Sequence, residues 1–114
     1  MKEYIVEHLY ELRSYLEEKY SNNIEGKCVE SSELVFNYLN TQNIKSIIIE
    51  GYCKYDDDSS CSDRDYDEHT WVEIPSLNLI IDLTLDQFSF GIDMDIPKVY
   101  IGNLPYFLKY EEPK

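Results

Sequence analysis

A chain of 114 residues with 43% apolar and 14% aromatic content can bury one hydrophobic core but has no room for a second, which excludes disorder and predicts a single domain over 1–114. Its 23 acids against 10 bases leave a formal charge of -13, which would repel phosphate backbones and anionic lipid, so direct nucleic-acid and membrane-surface binding are excluded from the expected partners. A protein or peptide partner, basic in character, is the encounter this charge favours, and the oligomeric state stays open.

The N-terminus MKEYIVEHLYELRSYLEEKY carries charges throughout and lacks the apolar segment of a secretory signal, and no run reaches the roughly 18 apolar residues of a membrane span; the expected location is cytoplasmic. Within residues 3–20, Tyr4, Ile5, His8, Leu9, Leu12, Tyr15, Leu16 and Tyr20 recur at three- and four-residue steps and predict an amphipathic helix. The segment SNN at 21–23 and Gly26 interrupt it. A second helix is expected over about 28–40, with Val29, Leu34, Val35, Tyr38 and Leu39 on one face and Glu30, Ser31, Ser32 and Asn37 on the other.

Four short apolar stretches with strand character follow: SIIIEGY at 46–52, HTWVEIP at 69–75, LNLIIDLT at 77–84 and KVYIGN at 98–103. Pro75 and Ser76 join the second and third, and an antiparallel hairpin turning about Ser76 would set position 69 opposite 82 or 83. The polar, acidic stretch KYDDDSSCSDRDYDE at 54–68 reads as a long loop. Two helices followed by an antiparallel sheet make the expected class α+β.

An odd cysteine count in a reducing compartment argues against a disulfide framework and leaves thiol chemistry or burial for each cysteine. Cys28 lies at the predicted start of the second helix, where the helix dipole favours a thiolate. Of the two histidines, His8 falls on the apolar stripe of the first helix and reads as structural, while His69 opens a strand after the long loop, where catalytic groups are often displayed. Asp82, set in the apolar strand LIIDLT, needs a partner to stay charged, and His69 across the hairpin would supply one.

In this order, GKCVESSELVFNYL, HTWVEI and IIDLT, the chain resembles the transglutaminase-like branch of the papain-like cysteine enzymes over about residues 20–90. The resemblance implies a papain-like core, with Cys28 as nucleophile at a helix N-terminus and a sheet carrying His69 as base and Asp82 as orienting acid. Trp71 matches the aromatic two residues after the histidine and would wall the site. The chemistry implied is attack on an amide carbonyl through a thioester, as a peptidase, glutamine deamidase or transglutaminase, with the Cys28 N–H and Asn22 or Asn23 as oxyanion donors and no cofactor. The chain is much shorter than the family's larger members, so their calcium sites and substrate domains do not carry over.

Two other readings stand beside it: an acidic binding or inhibitor protein that keeps the fold without turnover, and a fold in which the three residues never meet. Metal is not expected. Cys53, Cys61 and His69 lack the short paired spacing of zinc ligands, and Asp63, Asp65 and Asp67 begin a calcium-loop pattern that fails at Glu68 and Ile74.

Overall fold

Helix α1 spans Glu3–Lys19 and buries Ile5, Leu9, Arg13 and Leu16, a line at steps of four, four and three residues. The computed structural model that supplies these positions describes residues 1–55, 66–92 and 94–110. Tyr4 and Tyr15, expected on the buried stripe, are about half exposed instead. Arginine takes the central place in that stripe because its guanidinium finds acceptors there.

The chain leaves α1 through Ser21 and Asn22, both at left-handed φ (53° and 68°), a conformation that asparagine tolerates better than most residues. It then makes a tight turn in which Lys27 N–H donates to the Ile24 carbonyl at 3.2 Å. Gly26 sits at φ 76° in that turn, which a side-chain-bearing residue would adopt only with strain. Ile24 is buried beneath it.

Helix α2, Cys28–Thr41, buries Ser31, Ser32, Val35 and Leu39. The serines occupy the face expected to be polar, and Val29, expected in the core, is 54% exposed. Burial follows helical spacing here rather than polarity: positions 28, 31, 32, 35 and 39 share one side, and small residues at 31 and 32 let the helix start approach its neighbours closely. Asn43, at φ 59°, ends the helix, with Asn43 N–H donating to the Asn40 carbonyl and Ile44 N–H to that of Leu39.

Among the described residues five antiparallel strands form one sheet in the order β4-β3-β2-β1-β5: β1 Ile47–Lys54, β2 Tyr66–Ile74, β3 Leu79–Asp82, β4 Tyr100–Gly102 and β5 Leu108–Tyr110. The α+β class is therefore as the sequence implied. The edge strand β5 has no counterpart among the expected elements; three residues carry too little pattern to announce a strand.

The β2–β3 register departs from the expected one. Val72 pairs with Ile81 and Ile74 with Leu79, so continuing the ladder sets Asp82 opposite Trp71 and position 84 opposite His69. The cause is the turn: Pro75–Leu77 forms a single 3-10 turn closed by Asn78 at φ 53°, which displaces the point of reversal toward the C-terminus. His69 and Asp82 remain on one face as diagonal neighbours, within reach of long side chains.

Strand alternation divides the apolar residues into two clusters. One joins α1 and α2 to Val72, Ile74, Ile81, Leu83 and Val99; the other gathers Cys53, Tyr55, Trp71, Ile80, Leu85, Phe88, Phe107 and Leu108 without a residue of α1 or α2. Each fully buried large side chain contributes about 1.5–3 kcal/mol to that packing. Gly51, paired with His69 on β2 and with Tyr110 on β5, leaves space that the Trp71 ring fills: a Cβ there would come within 2.5 Å of Trp71 Cη2 and closer still to the Lys109 carbonyl. Among the described residues no helix is long and apolar enough to cross a membrane.

Candidate active site

Cys28 is the first residue of α2, preceded by Lys27, whose side chain makes no capping hydrogen bond. The first-turn amides of a helix are unsatisfied and carry partial positive charge, so the position favours an anion. Burial pushes the Cys28 thiol up, but hydrogen bonding to and charge on His69, with contributions from the Thr70 backbone and hydroxyl, outweigh it and leave the thiol below its ordinary value. The side chain is only partly buried, so reagents can reach it.

His69 is 2% exposed on β2. Its Nε2 contacts Asp82 Oδ2 at 2.5 Å, and its Nδ1 makes no hydrogen bond of regular geometry among the described residues. The Phe88 ring meets the imidazole edge-on at 4.8 Å between centroids, and Trp71 stacks at 6.1 Å. Burial opposes the imidazolium, yet the charge and hydrogen bond of Asp82, together with Cys28, push the His69 pKa up to about 9.

Asp82 is itself 3% exposed, and three groups satisfy its carboxylate. His69 takes Oδ2, while Oδ1 accepts the Thr84 N–H at 2.9 Å and the Thr84 hydroxyl at 3.3 Å. An Asp whose carboxylate folds onto the amide two residues ahead is a recurring local turn, and it accounts for the D-x-T spacing.

The carbonyls of this turn are held in their turn. Arg13 Nη1 donates to the Leu83 carbonyl at 2.8 Å and the Lys98 carbonyl at 3.1 Å, and its guanidinium grips Asp86 bidentately at 2.7 and 3.0 Å. Gln87 Nε2 donates to the Thr84 carbonyl at 2.9 Å, and its Oε1 accepts the Gly26 N–H at 3.3 Å. Residues 82–87 thus connect α1, the histidine and the turn before Cys28.

The start of α2 has a second tether. Glu30 accepts hydrogen bonds from the Tyr20 hydroxyl and from Lys19 Nζ at 2.9 Å, and Lys27 Nζ lies 4.5 Å from the Tyr20 ring centroid. These bonds hold the Glu30 carboxyl below its usual range.

His69 and Asp82 are therefore paired directly, and Cys28 lies near enough to His69 for the imidazole to lower its thiol. Trp71, expected to wall the site, is fully buried behind His69, and its Nε1 lacks a partner among the described residues. Asn22 and Asn23 are exposed turn residues whose backbone amides donate to the Glu17 and Tyr20 carbonyls. His8 stacks on Tyr38 at 4.0 Å between α1 and α2, the structural role expected of it.

Cys53 is fully buried, while Cys61, Asp63 and Asp65 lie outside the described residues. Among the described residues no three His, Cys, Asp or Glu side chains gather as a metal site. Arg13, Thr84 and Gln87 are the site residues that sequence reasoning missed. An arginine in phase with Leu9 and Leu16, and a threonine two after a strand-end aspartate, are the signals that could have found the first two. No protein-family model, curated protein or solved structure matches the chain.

Proposed function

We propose that the chain is a cysteine-dependent amide hydrolase or acyltransferase built on a papain-like core, with Cys28 as nucleophile, His69 as acid and base and Asp82 as the group that orients and charges the imidazole. One observation carries the reading: a thiol at a helix start, lowered by a buried histidine whose other nitrogen is engaged by a buried carboxylate.

With Nε2 on Asp82, Nδ1 is the nitrogen left to exchange a proton with the thiol and the substrate. The Cys28 thiolate adds to an amide carbonyl carbon, and the carbonyl π electrons move to oxygen. The Cys28 backbone N–H at the helix start is the donor aimed at that oxyanion. As the C–N bond breaks, His69 gives its Nδ1 proton to the departing amine and a thioester remains. Neutral His69 then deprotonates an incoming water, or an acceptor amine, which attacks the thioester and expels Cys28 as thiolate.

Charge supports a basic protein or peptide as substrate, because the net -13 would speed its encounter with the site and slow that of acidic chains. The test is alkylation by iodoacetamide across pH, with mass spectrometry resolving the three cysteines. Cys28 is expected to react with an apparent pKa well below that of an ordinary thiol, and His69→Ala to return it to the ordinary range. A Cys28 that titrates like an ordinary thiol in both proteins would sink the reading. Cys28→Ala separates the alternative of an acidic binding protein: the enzyme loses turnover and keeps binding, whereas a binder keeps its whole effect.

A further inference from the structure

Gln87 belongs to none of the roles above, yet its side chain hydrogen-bonds to both halves of the site. Its backbone N–H and its side-chain Nε2 both donate to the Thr84 carbonyl, at 3.1 and 2.9 Å, folding the side chain back over the turn that presents Asp82. Its Oε1 then receives the N–H of Gly26, two residues before Cys28. Only a side chain with a donor and an acceptor on one short planar group can make both bonds, and an amide is that group.

The two sides are unequal in what else holds them. The Leu83 carbonyl is fixed by Arg13, and the Asp82 carboxylate by His69 and Thr84. The turn at Ile24–Lys27 has one internal bond and a glycine at left-handed φ, and α2 has no side-chain cap. A link from the rigid turn to the loose one therefore acts mainly on the loose one, by setting where the α2 start lies relative to His69.

We propose that Gln87 is a positioning residue which, by bridging the Thr84 carbonyl and the Gly26 amide, sets the Cys28 thiol at its working distance from His69. The proposal rests on Cys28 and His69 being the reacting pair. Neither hydrogen bond of the Gln87 side chain goes to that pair, and it acts through the two backbones it joins. Its glutamate variant would keep an acceptor for Gly26 while setting a carboxylate against the Thr84 carbonyl, so chemistry at this position is separable from size.

The experiment compares wild type, Gln87→Ala, Gln87→Glu and Ser89→Ala. The last loses a side-chain bond to the Asp86 carbonyl in the same segment without touching Gly26. Two readouts are taken on each: Cys28 alkylation against pH and the His69 imidazole titration by NMR. Both Gln87 variants are expected to alkylate Cys28 about 3- to 10-fold more slowly on the acid side of the profile, the reduction in thiolate that half to one unit of pKa produces. Circular dichroism should stay native, and Ser89→Ala should match wild type in both readouts. Folded Gln87→Ala and Gln87→Glu proteins with the wild-type thiol profile and histidine titration would overturn the proposal while leaving the catalytic pair intact. An ordinary thiol profile in wild type, unmoved by His69→Ala, would overturn the catalytic reading and this proposal with it.

Discussion

The two halves of the candidate site are built to different standards. On the Asp82 side the groups of the turn are engaged: the carboxylate by His69 and Thr84, the Leu83 carbonyl by Arg13, and the Thr84 carbonyl by Gln87, all but Gln87 under a few per cent exposed. Arg13 Nε and His69 Nδ1 are the buried atoms there without a regular partner among the described residues. On the Cys28 side the helix has no side-chain cap, its tethers through Glu30 are exposed or only partly buried, and its turn depends on Gly26. Buried polar networks are costly to break, so the Asp82 half tolerates little change. The Cys28 half is held more by bonds that water can reach.

Changes on the buried half should therefore be felt in stability, and changes on the other half mainly in reactivity. The largest effect is expected from Arg13→Met, which keeps the stem in the α1 stripe but leaves Asp86 and the Leu83 carbonyl without their donor; removing one member of such a pair costs about 3–5 kcal/mol, read as a lower urea midpoint. A protein as stable as wild type would erase the contrast.

Next comes pH. The His69 pKa is raised from 6.5 to about 9, so its stabilising contribution is fully present below pH 6.5 and is lost as pH rises through about 9. A shift of that size corresponds to at most about 3 kcal/mol. The lowered Cys28 thiol acts in the opposite sense, adding stability as pH rises, and it is also one of the groups that raise His69, so Cys28→Ala protein should show the smaller swing due to Asp82 alone. Asp82→Asn should flatten it, and midpoints that do not move between pH 6.5 and 9 would contradict the assigned pair.

Thr84→Val preserves shape and the backbone bond to Asp82 but removes the hydroxyl, an expected loss of about 1 kcal/mol measurable by thermal melting. Glu30→Ala is the smallest: little change in melting temperature, because Lys19 is exposed and Glu30 itself about a third exposed, with only a modest change in Cys28 alkylation. A large stability loss there would mean that the helix start is as firmly built as the Asp82 turn.

The same contrast governs what could be read in the chain beforehand. Cys28, His69 and Asp82 were legible because each is a distinctive residue at a pattern boundary, and two helices before a sheet gave the class. Register was not, because the turn at Pro75–Asn78 takes a left-handed residue that moves the reversal point, something no alternation of apolar residues encodes. On α2 burial follows spacing and not polarity, which residue type alone does not announce: Ser31 and Ser32 are buried by geometry, and Val29 is exposed by it. Arg13, Thr84 and Gln87 act on backbone carbonyls and on each other's turns, and such contacts exist only once distant segments have met.

Gly51 joins three strands at one point, with His69 beside it on β2, Tyr110 on β5 and the Trp71 ring laid across it. An added methyl could be accommodated only by tilting the indole toward the imidazole or by prising β5 from the edge. The missing side chain is thus a dimension of the site, fixing how thick the sheet is directly behind the histidine.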